Sequence, residues 1–481
     1  MQMKKISAAL FLLNFLFAID SFANHFAGAD LGYVCLGGNQ YRINLNLYVD
    51  CVGATPGPQQ NINFSGPCGS LPFIKIDLIN PGGTEISQLC ASQINSSTCN
   101  GGSLPGMRVY NYTGIVTIAP VCNSWTISWA SCCRNNAITN LQLSTNSIYL
   151  ETTLNSIAST CNSSPFFTAQ PIPYVCINQL VNYNLGAIDN DGDSLYYSFV
   201  SALDANPTNY TYTSGYSATS PIPGIVLDSA TGQITFTPVT IGNFVVVVLV
   251  KEYDSNGNLV GSIMRDIQFV VQSCTNNVPD PAVIISDLTI ATQTGPRSFQ
   301  ICKSSPFSFK AIYTDQDAGD VLTLTSDLTV LFPSSAITTS GSNPLIASIT
   351  WVPPAGSTNN NFTFTVIIDD GSCPVEGKQS YVYVVNIVPP CPSDTSMLFV
   401  PNVFTPGGSN PVFLISSYGI INYSIQIFDR WGDKIFESDD VNTHWNGNNV
   451  NDGTYYYVVR ATGIDKKEYN KKGFVQRIGV R

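Results

Sequence analysis

The chain has 481 residues, of which only 11% are charged, about half the share found in an ordinary soluble protein. Its formal net charge is −11, so its surface repels phosphate groups, and this argues against nucleic acid as a partner. Abundant Asn, Thr, Val, Tyr and Gly with few helix formers favour strands and turns, and the length predicts three or four domains.

The first 23 residues have the features of a secretory signal peptide. Lys4 and Lys5 precede an apolar run, Ile6 to Ile19, and Ser21 and Ala23 form a small-residue cleavage site. The apolar run is shorter than the roughly 20 residues that a membrane span needs. We therefore expect residues 1–23 to be removed and the mature chain to be exported without a transmembrane segment.

Fourteen cysteines follow the predicted signal peptide. Exported proteins meet oxidising conditions in which cysteines persist as disulfides. No two cysteines have the C-x-x-C spacing, which disfavours zinc ribbons and thioredoxin-like sites. We predict structural disulfides among Cys35, Cys51, Cys68, Cys90, Cys99, Cys122, Cys132, Cys133, Cys161, Cys176, Cys274, Cys302, Cys373 and Cys391.

Residues 24–163 hold nine of these cysteines and several strand patterns. Apolar residues alternate with polar ones from Tyr41 to Val49, as in a half-buried strand. Pro-Gly turns such as Pro56-Gly57 separate the segments. We predict a disulfide-rich β-sandwich here, which we call the head.

Within the head, Cys132 and Cys133 are adjacent and precede Arg134. Two thiols beside a cation suggest a redox site, a metal site or two structural anchors. The segment alternates like a strand, so adjacent side chains point to opposite faces, and a bond between them would be strained. We predict two disulfides to two separate partners, with Arg134 binding backbone carbonyls or an acid.

The middle of the chain is an internal repeat, residues 164–274 and residues 281–391. Cys176 precedes Asp189 by 13 residues, and Cys302 precedes Asp315 by the same spacing. Later in each copy an Ile-Thr-aromatic-x-Pro sequence recurs. Units of roughly 110 residues with short strands favour immunoglobulin-like sandwiches, which gives an all-β chain of tandem β-sandwiches. Pro-rich linkers follow each copy.

Residues 397–481 lack cysteine and have nine Lys and Arg against eight Asp and Glu, unlike the acidic remainder. Their sequence resembles the gliding motility-associated C-terminal (CHU_C) family, the type B sorting domain of the type IX secretion system of Bacteroidota. The matching residues are Pro401, Asn402, Phe404, Thr405, Pro406, Arg430, Trp431, Gly432, Trp445, Gly447, Asp452, Gly453 and Tyr455.

This resemblance implies passage through the periplasm, handling by the type IX secretion machinery, and a final location outside the outer membrane, either secreted or on the cell surface. Residues 27–51, 128–141 and 174–195 also resemble the head region of many large exported proteins that end in this sorting domain. No activity is attached to that region, so the resemblance concerns organisation only.

Two acidic loops are candidate calcium sites. The first, Asp189-x-Asp191-Gly-Asp193, resembles the loop of cadherin-like repeats, and clustered carboxylates suit Ca²⁺. Aligning the repeats places Glu252 and Asp370 at equivalent strand ends, where each would close a cage. The alternative is a solvated Asp/Gly turn. The candidate ligands are Asp189, Asp191, Asp193, Glu252, Asp315, Asp317, Asp320 and Asp370.

Catalysis has little support in the sequence. The two histidines, His25 and His444, lie at the mature N-terminus and in the C-terminal segment, and neither is placed to activate a nucleophile. A glycosidase needs only two carboxylates, but the acids here fall in turns. We therefore expect that the protein is not an enzyme.

The expected function is binding or adhesion at the cell surface, to an unknown surface, glycan or protein. A group of tyrosines would either stack on sugars or line sandwich faces, including Tyr196, Tyr197, Tyr210, Tyr212 and Tyr216. One alternative is a structural component that assembles at the cell surface. A second is a carbohydrate-active exoenzyme.

Overall fold

A computed structural model describes residues 26–132, 134, 137–143, 146–280, 283–289, 291–302, 307–353, 361–388, 396–408 and 410–479, without the side chains of Cys302 and Val388. The predicted signal peptide, Cys133 and Cys391 lie outside these residues. The described chain is all-β, as predicted, with 33 strands and three single helical turns.

The head contributes eight strands and two 3-10 turns, Ile94–Ser96 and Thr98–Asn100. The strands are β1 (Phe26–Gly37), β2 (Gln40–Asp50), β3 (Gln59–Gly66), β4 (Gly69–Leu78), β5 (Thr84–Glu85), β6 (Met107–Thr117), β7 (Trp125–Cys132) and β8 (Ser147–Leu154).

The first repeat contributes nine strands. They are β9 (Phe166–Phe167), β10 (Tyr174–Cys176), β11 (Val181–Asn184), β12 (Ala187–Ile188), β13 (Ser194–Val200), β14 (Val226–Leu227), β15 (Gln233–Phe236), β16 (Gly242–Tyr253) and β17 (Leu259–Gln272).

The second repeat contributes nine strands and the helical turn α1 (Leu328–Leu331). The strands are β18 (Ile284–Thr289), β19 (Ala291–Gly295), β20 (Ser298–Cys302), β21 (Phe307–Tyr313), β22 (Thr323–Ser326), β23 (Ala336–Ser340), β24 (Leu345–Trp351), β25 (Asn361–Asp369) and β26 (Lys378–Val388).

The C-terminal module contributes seven strands. They are β27 (Met397–Phe399), β28 (Val403–Phe404), β29 (Ser416–Tyr418), β30 (Ile420–Phe428), β31 (Lys434–Ser438), β32 (Gly453–Gly463) and β33 (Glu468–Arg477).

The head and the first repeat share one sheet. The head strands follow the order β1-β2-β6-β4-β3-β7-β8, and both ends of this path meet β17 of the first repeat. β8 pairs with β17 at residues 261–263, and β1 pairs with it at residues 265–267. The head strands therefore form no sheet of their own on one side of the boundary predicted at residues 163 and 164. β17, from beyond that boundary, pairs with both β1 and β8.

β16 explains how two modules share one core. Val245 and Val247 pack into the head core, whereas Phe244, Val246 and Val248 pack into the core of the first repeat. A strand with apolar neighbours on both faces needs no polar alternation. Residues 244–250 of β16 are therefore all apolar, with no polar residue among them.

The two repeats have the same strand arrangement. The first has a sheet β11-β15-β14 facing the β10-β17-β16-β13 part of the large sheet. The second has β21-β24-β23 facing β20-β26-β25-β22, with β18 and β19 added at the edges. In each repeat, the last long strand pairs in parallel with a short strand: β17 with β10 in the first repeat, and β26 with β20 in the second.

The repeats lie side by side through β11 and β26. Gln379, which is fully buried, accepts a hydrogen bond from the amide of Asn182 (2.7 Å) and donates one to the carbonyl of Leu180 (2.7 Å). Gln233 makes a matching pair of bonds to the backbone of Ser380 and Val382. Paired amides satisfy the buried backbone groups at this interface.

Five disulfides are described: Cys35–Cys161, Cys51–Cys99, Cys68–Cys122, Cys90–Cys373 and Cys176–Cys274. The fourth joins the head to the second repeat across a sequence separation of 283. Beside it, Gln88 donates to the carbonyls of Glu376 (2.6 Å) and Tyr174 (3.1 Å). The head thus contacts both repeats at this point.

Cys132 is also disulfide-bonded. The prediction that Cys132 and Cys133 have separate partners stays a prediction, because Cys133 lies outside the described residues.

The C-terminal module is a separate sandwich, with a sheet β28-β33-β32-β30-β31 and a two-stranded sheet β27-β29. Its core includes Phe404, Phe413, Trp445 and Val459. It touches the second repeat where Thr292 donates to the carbonyl of Ser417 (3.1 Å). The described part of the chain contains no helix with the length and hydrophobicity of a membrane span.

Candidate metal centres at the module junctions

The first acidic cluster forms at the junction of the head and the first repeat. The loop after β12 supplies Asp189 and Asp193, and β16 supplies Glu252 near its end. One carboxylate oxygen from each lies within 4.8 Å of the others. Asp191 is not part of this group; its Oδ2 accepts a hydrogen bond from the backbone amide of Ser163 (2.6 Å).

Glu252 is the buried member of this cluster. Its side chain has no solvent exposure, and a Cβ atom on the opposing Gly261 would lie 1.7 Å from Glu252 Oε1. Asn162 donates a hydrogen bond to that oxygen (2.8 Å), and the Tyr33 hydroxyl lies 3.2 Å from it. Gly261 therefore makes the space, and two head residues position the carboxyl group of a repeat residue.

The pKa values of these acids reflect their crowding. Burial, and then the neighbouring carboxylate of Asp189, raises the pKa of Glu252 to about 9. Burial also raises the pKa of Asp189, and burial together with the Asp189 carboxylate raises the pKa of Asp193. Like charges in a poorly hydrated site resist ionisation, and a cation held among these carboxylates would offset their repulsion.

Three oxygens at this site have no hydrogen-bond partner among the described residues. They are Asp189 Oδ2, Glu252 Oε2 and Asn162 Oδ1, and all are buried. A buried oxygen without a partner costs about 1–3 kcal/mol, and more when charged. Carboxylate and amide oxygens are the ligands that Ca²⁺ prefers, so the residues present fit such an ion.

The second cluster belongs to the second repeat and contains Asp315, Asp317 and Asp320, again within 4.8 Å of one another. Asp315 Oδ2 and Asp320 Oδ2 have no partner in the described chain. Burial raises the pKa of Asp315 to about 6. Burial and the Asp317 carboxylate raise the pKa of Asp320.

Asp370, the counterpart of Glu252, lies outside this second cluster. Its Oδ1 accepts hydrogen bonds from the amides of Ser372 (2.8 Å) and Gly377 (2.9 Å), and its Oδ2 accepts one from Asn276 Nδ2 (2.7 Å). The structure therefore places Asp370 as a fully bonded anchor for the linker between the repeats. The carboxylate of Asp370 is taken up by these hydrogen bonds, whereas the longer side chain of Glu252 reaches the first acidic cluster.

The two junctions share a layout that the sequence comparison did not reveal. Asn162 binds Glu252 as Asn276 binds Asp370, and a glycine opposes each acid. The amide of Ser163 binds Asp191 (2.6 Å), and the amide of Asn277 binds Asp317 (2.7 Å). The sequence carries a sign of this layout, because Asn162 and Asn276 follow Cys161 and Cys274 within two residues. Both asparagines lie outside the predicted repeats, residues 164–274 and 281–391.

The tyrosines considered for sugar stacking form no common surface. Tyr197 and Tyr210 are buried in cores, and Tyr216 packs on Phe244 with ring centroids 5.7 Å apart. Only Tyr196 in this group is substantially exposed, at 49%. They line sandwich faces, which was the other interpretation.

Most of the motif residues in the C-terminal module support its fold. Phe404, Trp445 and Tyr455 lie in the core, with the Trp445 ring centroid 5.2 Å from Phe404 and 5.0 Å from Tyr455. Gly447 (φ 68°) lies against Phe404, where a side chain would collide. Asp452 forms an ion pair with Arg477. Pro401, Asn402, Thr405, Pro406, Gly432 and Gly453 lie in or beside turns and strand starts.

Several solved structures match the chain at low sequence identity and low TM-score. Zebrafish RET cadherin-like domains 1 to 4 are 11% identical, with 65% of this chain and 72% of that chain covered and a TM-score of 0.16. Drosophila N-cadherin EC1-4 is 12% identical, with 90% and 95% covered and a TM-score of 0.17. Dimeric latent PorU from Porphyromonas gingivalis is 12% identical, with 64% and 32% covered and a TM-score of 0.18. TM-scores this low define no common arrangement of modules.

The family comparison concerns the C-terminal module. No curated protein matches the chain. Residues 398–476 match the family model of the CHU_C type IX secretion signal domain, which agrees with the resemblance of the motifs above. The C-terminal module is thus a type IX secretion signal domain, and the protein is one that is exported to the cell surface or secreted.

Proposed function

We propose that this exported protein is a non-enzymatic adhesion protein that binds a glycan or protein ligand outside the cell. The observation that carries the proposal is the Cys90–Cys373 disulfide, which joins the head covalently to the second repeat. Together with the shared strand β17 and the β11–β26 interface, it makes one body of three modules. A binding protein that must hold its ligand against flow benefits from such a body.

The disulfide also shortens the path of a mechanical load. A force that enters the chain before Cys90 reaches Cys373 through one covalent bond, and then continues to the secretion signal domain. The rest of the head, the first repeat and most of the second repeat lie within the bypassed loop. When the chain is stretched, the segment between two cross-linked residues cannot be extended, so that segment stays folded.

Calcium is the cofactor that we propose for the first cluster. An ion bound by Asp189, Asp193 and Glu252 would neutralise their charge, and Asn162 Oδ1 would add a ligand from the head. Such an ion would link the head to the first repeat in addition to the pairing of β17 with β1 and β8. Sites of this kind in extracellular modules bind Ca²⁺ with dissociation constants of about 0.1–1 mM.

The test uses the oxidised mature chain on a glycan array and on intact cells. We expect saturable binding by the monomer, with equal affinity for the C90S/C373S double variant at rest. Under flow, the double variant on a bead should detach at a lower force than the wild type. The matched control is C176S/C274S, which removes a disulfide inside one repeat.

The alternatives give different results in the same set of experiments. Concentration-dependent assembly without ligand, measured by sedimentation velocity, would favour a structural component of the cell surface. Release of sugars from a polysaccharide panel would favour an exoenzyme. Either result without saturable binding would overturn the proposal.

A further inference from the structure

Trp431 is a motif residue that the fold of the secretion signal domain does not explain. The other aromatic motif residues, Phe404, Trp445 and Tyr455, are buried, but Trp431 is 78% exposed. It lies in the turn between β30 and β31. An exposed tryptophan gives up the stabilisation that its burial would supply, so its position requires another explanation.

The turn holds Trp431 in a fixed position. The carboxylate of Asp429 accepts hydrogen bonds from the amides of Trp431 (2.8 Å) and Asp433 (3.0 Å), and Gly432 has φ 92°. The guanidinium of Arg430 lies 5.4 Å from the indole ring. The tryptophan is therefore presented by a well-defined turn that carries its own cation.

A row of aromatic residues begins next to this turn. Phe428 of β30 lies opposite Tyr456 of β32, and Tyr456 lies opposite Phe474 of β33. Cross-strand neighbours have Cβ atoms about 4.5–5.5 Å apart, so the three side chains form a continuous row across the sheet. Tyr456 is 50% exposed and Phe474 is 47% exposed, which places the row on the outer face.

Two cations share this face of the sheet: Lys472 lies two residues from Phe474 on β33, and Arg460 lies four residues from Tyr456 on β32. Lys472 of β33 and Arg460 of β32 are exposed, and neither forms an ion pair with a described residue. The module has nine basic and eight acidic residues, whereas the chain as a whole carries a formal charge of −11. An aromatic strip with free cations is complementary to an apolar surface bordered by carboxylates.

We propose that the face formed by Phe428, Trp431, Tyr456 and Phe474, with Arg460 and Lys472 beside it, is the docking surface for an acidic, apolar patch on a protein of the type IX secretion machinery. The module is a secretion signal, so a protein of that machinery must bind some part of its surface. Exposed aromatic and Arg residues contribute most to protein interfaces, and this face concentrates them.

The test is export of the full chain from a bacterium with a type IX machinery. We expect Y456T/F474T and W431A to lower the amount on the cell surface by about tenfold, the effect of losing an interface hot spot. The matched control is F399T/I464T, which replaces two residues of the same domain that are 60% and 56% exposed but lie off this row. Export of this control should equal that of the wild type.

Charge and contact are tested separately. R460E/K472E should lower export, whereas R460K/K472R should not. A photoreactive residue at position 456 should cross-link to an outer-membrane protein of the machinery, and one at position 399 should not. Purified variants should melt at the wild-type temperature, which shows that the fold is intact.

Three results would overturn the proposal. The first is normal export of the folded Y456T/F474T and W431A proteins. The second is normal export of the charge-reversed protein. The third is a cross-link from position 456 to lipopolysaccharide or to a second copy of this chain instead of the machinery.

Discussion

Arg134 of the head forms a two-point ion pair with Asp266 of the first repeat, and both side chains are 1% exposed. One guanidinium nitrogen lies 2.9 Å from Asp266 Oδ1, and Nε donates to the carbonyl of Ser147 (3.0 Å). The arginine beside the adjacent cysteines therefore binds both a carbonyl and an acid, the two partners expected from the sequence. The acid lies on β17, the strand that closes the head.

This ion pair gives the first prediction. D266N leaves the buried guanidinium without a counter-charge, and we expect the free energy of unfolding to fall by about 3–5 kcal/mol. Denaturation of the full chain in urea, followed by fluorescence of the buried Trp125 and Trp129, measures this loss.

The control for this prediction is D287N, which removes the acid of the exposed Lys310–Asp287 pair. Exposed pairs contribute about 0–1 kcal/mol, so its effect should be small. Equal unfolding midpoints for D266N and D287N would show that the buried pair does not secure the junction.

The sequence predicted the all-β fold because the signals of strands are local. Alternation in β2, from Tyr41 to Val49, and the matched landmarks of the two repeats each lie within one stretch of chain. The closure of the head by β17 depends on pairing between residues more than 200 positions apart, such as Asp30 and Arg265. Nothing in the sequence near either residue specifies such a partner.

The second prediction concerns that closure. The fragment of residues 24–163 lacks β17, so β1 and β8 keep unpaired edges, and we expect no cooperative unfolding. The fragment of residues 24–274 supplies β17 and should unfold cooperatively. C90S in both fragments removes the thiol that otherwise bonds to Cys373.

Amide hydrogen exchange of the two fragments measures the difference. Backbone amides of β1 and β8 should be protected only in the longer fragment. Protection of these strands in the shorter fragment would establish the head as an independent domain with the boundary at residues 163 and 164.

The third prediction concerns the disulfide between the head and the second repeat. Loss of a disulfide that closes a long loop costs roughly 2–5 kcal/mol. C90S/C373S should therefore open the β11–β26 interface, and the amide of Asn182, which binds Gln379, should exchange faster. The same amide in C51S/C99S, where a disulfide within the head is lost, should exchange as in the wild type. An unchanged rate in both variants would mean that the interface holds without the disulfide.

The candidate sites were partly accessible from sequence. Spacing identified the acidic loops, since Asp189, Asp193, Asp315, Asp317 and Asp320 are close in the chain. Repeat alignment identified Glu252, but it placed Asp370 in the same role, and the structure gives that acid to the linker. The alignment matches positions and not side-chain length. Glu252 is one methylene longer than Asp370, and Glu252 lies in a cluster whereas Asp370 binds the linker.

The last prediction concerns pH and calcium at Glu252. Its pKa of about 9 in the folded chain lies above the value of 4.5 for an unperturbed Glu. A raised folded pKa means that the folded state holds the proton more tightly. Without calcium, the stability due to that proton is complete below about pH 4.5 and is lost as the pH rises towards 9. E252Q is neutral at every pH, so calcium-free wild type should lose stability relative to E252Q between pH 5 and pH 8.

Calcium should reverse this order. Binding must displace the proton from Glu252, so the calcium-induced rise in melting temperature should be larger at pH 8 than at pH 6 in the wild type. E252Q should show a much smaller rise, because the ion loses a charged ligand while the second cluster is unchanged. D439N, which removes one exposed acid, should respond to about 1 mM calcium as the wild type does. Equal calcium responses of E252Q and D439N, at both pH values, would rule out an ion at Glu252 and leave the buried acid as a neutral hydrogen-bonding group of the junction.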